Sequence, residues 1–321
     1  MDIDPATACG CLPAPEESLR WQAEAVASAP TISEYVWASD LEEQPVIKWA
    51  DDFDRLLEER TKIIRNAESK GYPLKSWEIF RLLPTERKLS NRLWWNQGSV
   101  PSCSLHGTVH ATQINILKEI ALGAPRKYDA LNPIYPFYLA RGGNLAGGLN
   151  LIDAADQVGT GGNYPVSEVG ENNTSAPRDW KQFEDIAKRY QSAAIILEDD
   201  LTEKVFAAAK AGFAVVFGSG IYYQTSKVNA SGVKVMVGVG TGGHAQALGE
   251  YEEVDGVEYV FLFNSWGDRY GDWDGSPKNG AWVTRDQVAT LLQNASIYGA
   301  PFIPLSENPQ KSEPRLFNPV R

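Results

Sequence analysis

The chain has 321 residues, enough for one large domain or two lobes around a sizeable core. Hydrophobic residues make up 43% and charged ones 22%, the balance of a soluble globular protein. The net charge of −11 argues against nucleic acid or an anionic membrane surface as partner, because both select a basic footprint.

No apolar run is long enough to span a bilayer. The start, MDIDPATACGCLPAPEE, has neither the basic opening nor the apolar stretch of a standard secretory signal peptide. The three cysteines, Cys9, Cys11 and Cys103, cannot build a disulfide framework, so a cytoplasmic location is expected, or a virion if the protein is viral. The Asn-x-Ser/Thr triplets at Asn172, Asn173, Asn229 and Asn294 then read as chance matches.

In chain order, the first forty or so residues are rich in Ala, Pro and Glu without a strong period. From Val46 to Tyr72, Trp49, Phe53, Leu56, Leu57, Ile63 and Ile64 form a stripe between charges, predicting an amphipathic helix. KSWEIFRLL predicts a second, shorter helix, ended by Pro84. The clearest helix follows Ser102: Leu105, Val109, Ile116, Leu117 and Ile120 recur at helical spacing, with Ser102 as N-cap and Gly123 and Pro125 as the stop. Further helices are predicted over 148–158, 179–190 and 202–211. Beyond Gly212 the runs FAVVFG, KVMVGV, HAQALGEY, VEYVFLF and GAWV read as strands separated by turns. The ending PFIPLSENPQKSEPRLFNPVR, with five prolines, reads as an extended arm rather than a packed element.

Cys103 falls in the first turn of the central helix, where free N–H groups favour a thiolate. A thiolate nucleophile also needs a base, and the chain has three histidines. His106 and His110 lie four apart on that helix, a spacing that can chelate a metal. With no HExxH motif or Cys/His cluster to supply further ligands, both read as structural, and no metal or organic cofactor is expected. His106, nearer the turn, could also line a cleft. His244 opens a strand-like run, and Asn264 ends the next one twenty residues later, so paired antiparallel strands would bring them together. Asn264 could then fix the His244 tautomer while Trp266 shields the bond. Cys9-Gly10-Cys11 lacks partner ligands and reads as two incidental cysteines.

Together these segments resemble the papain-like cysteine peptidase family. The resemblance rests on Gln97-Gly98 ahead of Cys103, on His244-Ala245 with Gly249, and on Asn264-Ser265-Trp266-Gly267. In that family the His and Asn follow the Cys by about 130 to 150 residues; here His244 follows by 141 and Asn264 by 161. LNPIYPFYLAR and AGGLNLIDAA resemble the family's middle section, and coverage is roughly 91–300. The resemblance implies an α+β fold of two lobes, one helical around the Cys103 helix and one an open antiparallel β-barrel, with an active-site cleft between them. The implied division is a 1–90 extension, arm plus amphipathic helix, with a propeptide-like role as one reading, then a helical lobe over 91–211, a β lobe over 212–300 and a Pro-rich arm over 301–321. It implies a thiol protease acting on a peptide or protein through an acyl-enzyme. Cys103 would be nucleophile, His244 acid and base, and Asn264 its orienter. Gln97 and the Cys103 N–H would form the oxyanion hole, and Gly147 and Gly148 the strip beside the substrate.

The family's Gln-Gly-x-Cys-Gly-Ser-Cys-Trp stands here as Gln97-Gly98-Ser99-Val100-Pro101-Ser102-Cys103-Ser104, which removes a cysteine and an aromatic next to the nucleophile. A rival reading therefore keeps the fold in a structural or interaction component of a larger assembly, such as a virus or phage particle, with the terminal arms binding protein partners. A weaker one is a peptidoglycan amidase or acyl transferase using the same nucleophile.

Overall fold

The computed structural model describes residues 10–20, 46–48, 51–122, 127–171, 175, 180–270 and 276–306. Cys9, Trp49, Gly123, Pro125, Asn172, Asn173 and the ending beyond residue 306 lie outside the described residues.

The fold is α+β. Strand β1 (Val46–Lys48) precedes helix α1 (Asp51–Ser69), so the stretch read as one long helix begins as a strand. Helix α2 (Ser76–Leu82) follows, then the central helix α3 (Cys103–Ala121). Helices α4 (Ile134–Ala140) and α5 (Leu151–Asp156) complete one side of the molecule. Strand β2 (Ser192–Ile196) and helix α6 (Leu201–Lys210) lead into the sheet strands β3 (Val215–Val228), β4 (Lys234–Val254), β5 (Val257–Phe263) and β6 (Gly280–Thr284). Helix α7 (Arg285–Leu292) and strand β7 (Phe302–Ser306) close the order.

These seven strands form one sheet in the order β1-β2-β7-β3-β4-β5-β6, and 131–132 pairs with 164–165 in a separate two-stranded sheet. Only the β1–β2 ladder is parallel among neighbouring strands, and the sheet curls until Val235 on β4 meets Trp282 on β6. The runs KVMVGV and HAQALGEY belong to one 21-residue strand instead of two. The glycines between them read as a turn in the sequence, yet the β3 partner continues alongside with one register break, between Ser219 and Ile221. The start of the proline-rich ending also departs from the expected arm. Phe302 and Ile303 are fully buried, and their strand inserts between β2 and β3.

Helix α3 is buried almost all round, which is why its apolar stripe is incomplete and its polar residues carry specific bonds. Leu105, Val109, Ile114 and Leu117 are fully removed from water, each contributing about 1.5–3 kcal/mol. Asn115 donates to Pro304 O at 2.8 Å and accepts from Ala214 N at 2.7 Å, tying the helix to β7 and the approach to β3. Gln113 bridges Leu93 O (2.5 Å) and Leu131 N (3.0 Å). Gly107 lets the helix lie on β4: a Cβ there would stand 3.3 Å from the Gln246 backbone.

The 51–89 stretch is packed on the same core. Trp77 stacks among Phe261, Phe263 and Trp282, and Arg60 donates to Ala211 O at 2.7 Å.

Candidate active site

Two elements carry the chemistry. Ser102 stands at the N-cap of α3, but its hydroxyl turns to His106 Nδ1 at 3.0 Å and leaves the helix amides uncapped. Cys103 follows, fully buried. Its Sγ accepts from the N–H of Ala245 at 3.4 Å, which sets β4 and the residue after His244 directly against the sulfur. Burial pushes the Cys103 thiol up, opposed by the N–H groups of Ala245, Gly10, Ser104 and Cys103 itself.

His244 Nε2 lies 2.8 Å from Asn264 Oδ1. The direction of that bond follows from a chain of donors. Tyr270 donates its hydroxyl proton to Tyr223 O at 2.8 Å, so it accepts from Asn264 Nδ2 at 2.6 Å. Asn264 Oδ1 is thereby left as acceptor, for Ser265 N at 2.8 Å and for the Nε2–H of His244. The Nδ1 of His244 then carries the lone pair, and it is buried without a hydrogen-bond partner. Trp266 stacks flat on the imidazole, centroids 4.5 Å apart and planes 18° apart, and Tyr222 meets both rings edge-on. Burial holds the His244 pKa down at about 4 and pushes the Cys103 thiol up, so desolvation disfavours charge on both groups.

Gln97 is fully buried, with its backbone N–H on Ser265 O at 2.8 Å. Its side-chain oxygen accepts from the Ser265 hydroxyl, and its Nε2 donates one proton to Val100 O at 2.9 Å. The amide is thus locked with its nitrogen toward the turn that leads into Cys103. Val100 is buried with Leu105, Phe137, Leu149 and Val158. Ser104 is fully buried and its hydroxyl finds no partner.

The other two histidines hold hydrogen-bond roles. His106 Nδ1 also lies 3.0 Å from Ser102 O, and His110 Nε2 accepts from Trp95 N at 3.3 Å. Burial lowers them to about 4 and about 3. No group of three His, Cys, Asp or Glu among the described residues could hold a metal ion.

Gly147 and Gly148 differ from each other. Gly147 serves a turn, with φ +75° and Arg141 as its neighbour. Gly148 lies against residue 10: a Cβ on it would stand 1.7 Å from Gly10 O. The adjoining Leu149 does the pairing, donating to Gly10 O at 2.8 Å and accepting from Leu12 N at 3.3 Å. From the β side, Gly243 O accepts from Cys11 N at 3.1 Å, just where the β3–β4 register breaks. Residues 10–12 therefore cross the site as an extended strand bonded to both walls.

Sequence reasoning missed Tyr270, Leu149 and this strand. Tyr270 could have been sought as the partner that a buried Asn side chain must find. Helix α7, also missed, was announced by a capping box, Thr284 with Gln287.

No family model matches the chain, and no curated protein matches it. Solved structures do resemble it. Digestive procathepsin L 3 from the larval midgut of Tenebrio molitor is 17% identical over 66% of this chain, at a TM-score of 0.44; the match spans 65% of that protein. Xylellain, a cysteine protease from Xylella fastidiosa, is 17% identical over 72% of this chain and 89% of its own, at 0.47. The proform of Amb a 11, a cysteine protease and major ragweed pollen allergen, is 15% identical over 92% of this chain and 98% of its own, at 0.46. Similarity of this depth speaks to neither activity nor substrate. Among the described residues, no helix is long and apolar enough to cross a membrane.

Proposed function

We propose that the chain is a papain-like cysteine peptidase. One observation carries the reading: a buried cysteine at a helix N-terminus lies against the strand of a histidine whose far nitrogen is bonded to an asparagine under a tryptophan. In this reading His244 Nδ1 takes the Cys103 proton and the sulfur attacks a peptide carbonyl. Gln97 Nε2 and the Cys103 N–H receive the negative oxygen. His244 returns the proton to the departing amine, then draws one from the water that splits the thioester. Asn264, itself held by Tyr270, keeps the ring in the tautomer this requires.

The test is labelling of full-length protein by a peptidyl epoxide, followed at the Cys103 peptide by mass spectrometry, beside hydrolysis of a peptide mixture. His244→Ala should lower labelling at least hundredfold and abolish hydrolysis. Equal labelling of both proteins would refute an activated thiolate.

One observation favours a second reading, a peptidase-like component without turnover that serves an assembly: Cys103, His244 and Gln97 are all fully buried. Under that reading no release of residues 10–12 would yield peptide hydrolysis.

A further inference from the structure

At the end of α3 away from Cys103, the ends of three helices enclose a groove of about 610 Å³, within the size range of sites that hold a ligand. Its walls come from α1 and the turn after it (Ile63, Tyr72), from the end of α2 (Leu82, Leu83) and from the end of α3 (Ile120, Leu122). Ile120 and Leu83 are buried in its floor, whereas Leu82 is 67% exposed and Tyr72 51%. An apolar surface that runs from the core out to solvent in this way marks a docking face.

The direction of the sheet brings the chain's own ending to this face. Cys103 meets Ala245 and Lys118 meets Glu250, so α3 and β4 run in the same sense. Strand β3 is antiparallel to β4, and β7 is antiparallel to β3, so β7 runs along α3 toward its C-terminal end. Asn115 holds Pro304 O, and from Asn115 to Leu122 the helix covers only about 10 Å. Strand β7 ends at Ser306, and the next large apolar pair in the sequence, Leu316-Phe317, stands ten residues beyond it, a reach of up to about 33 Å. On so short a tether the pair meets the groove at about millimolar effective concentration, so a weak seat is enough. Pro309, Pro314 and Pro319 narrow the conformations that the stretch gives up on binding. Charge plays the lesser part: Lys70 and Arg87 border the groove, and Glu313 and Arg315 bring both signs to it.

We infer that the groove between the ends of α1, α2 and α3 is the docking site of residues 314–319 of the same chain, with Leu316 and Phe317 as its anchors. The docked stretch straps the 51–89 helices to the sheet through β7. The inference is independent of the peptidase reading, because Cys103 lies at the other end of α3.

The experiment uses full-length protein with Phe317 replaced by p-benzoylphenylalanine, irradiated and then digested for mass spectrometry. Cross-links should fall on residues 63–87 and 120–122, and the same probe at Gln310 should give about fivefold fewer of them. An equal mixture of ¹⁵N-labelled and unlabelled protein tells the chain's own groove from that of a second copy. Cross-links that join labelled to unlabelled chains place a second copy in the groove and overturn the inference, as do cross-links that fall elsewhere. Leu82→Glu, at an exposed position, and Leu316→Asp, in the docked stretch itself, should each lower the groove cross-links about fivefold or more, since each puts a charge into an apolar contact. Thermal melting monitors the fold of both variants. If either melts like wild type and cross-links as strongly, the assigned seat is wrong, whether or not the protein cleaves peptides.

Discussion

Helix α3 and strand β4 meet at two buried polar clusters, one near each end of the helix, and the two are built on opposite principles. Near its C-terminal end, Lys118 pairs with Glu250 at 2.5 Å, and both are almost wholly buried. Further bonds hold both charges: Lys118 also donates to Leu74 O, and Glu250 accepts from Ser76 N at 2.7 Å. Glu250 reaches this position from a bulge in β4, at φ +51°. Near the N-terminal end, Cys103, His106 and His244 are as deeply buried, yet desolvation disfavours their charged forms, and Ser104 Oγ, His106 Nε2 and His244 Nδ1 lack partners. One cluster pairs its charges and fastens the 51–89 helices to the core. The other leaves polar atoms unspent, as a site does when it awaits a reacting group.

Breaking the paired cluster should have the largest effect on stability. Lys118→Met leaves a buried carboxylate without its cation and should cost about 3–5 kcal/mol, read from the denaturant midpoint. The unfinished end should respond to acid instead. The folded pKa of His106 and His244 is about 4 and that of His110 about 3, below the usual histidine value near 6.5. Between these limits the unfolded chain binds more protons, so these histidines add stability above pH 6.5 and lose it as the pH falls. His106→Phe should therefore reduce the stability lost between pH 6.5 and 4 by roughly 3 kcal/mol, measured as the difference between denaturation curves at the two pH values. The smallest change should come from Ser104→Ala. It deletes a buried hydroxyl that has no partner, so stability should hold or rise by about 1 kcal/mol. A loss near 2 kcal/mol would mean that the hydroxyl is bonded and the contrast between the two ends is weaker than drawn.

The pairing of His244 with Asn264 was legible because it depends on side-chain chemistry and on two strands joined by a short turn. Ala247 pairs with Phe263, which sets the two residues near each other at the same edge. The Cys103 helix was legible from its own periodicity. The strand over residues 10–12 was not, because its bonds are made by backbone groups that every residue except proline possesses. Only the absent Cβ of Gly10 hints at it, and a glycine has many uses. The single strand β4 was hidden for the opposite reason: GVGTGG imitates a turn, and only the long partner β3 makes it continuous. Strand β1 escaped because three residues carry no period, and β7 because Pro301 before it and Pro304 inside it suggested an arm.

Strand β7 has a consequence for how the molecule is made. The hydrogen-bonded link between the β1–β2 wing and the strands that carry His244 runs through β7, which is formed from residues 302–306. A ribosome adding about 5–20 residues per second delivers that segment after all the other strands. The sheet is then completed by a piece made after the other described strands, inserted in the middle rather than added at an edge, so the strands that carry His244 and the β1–β2 wing should be joined only once residues 302–306 have emerged.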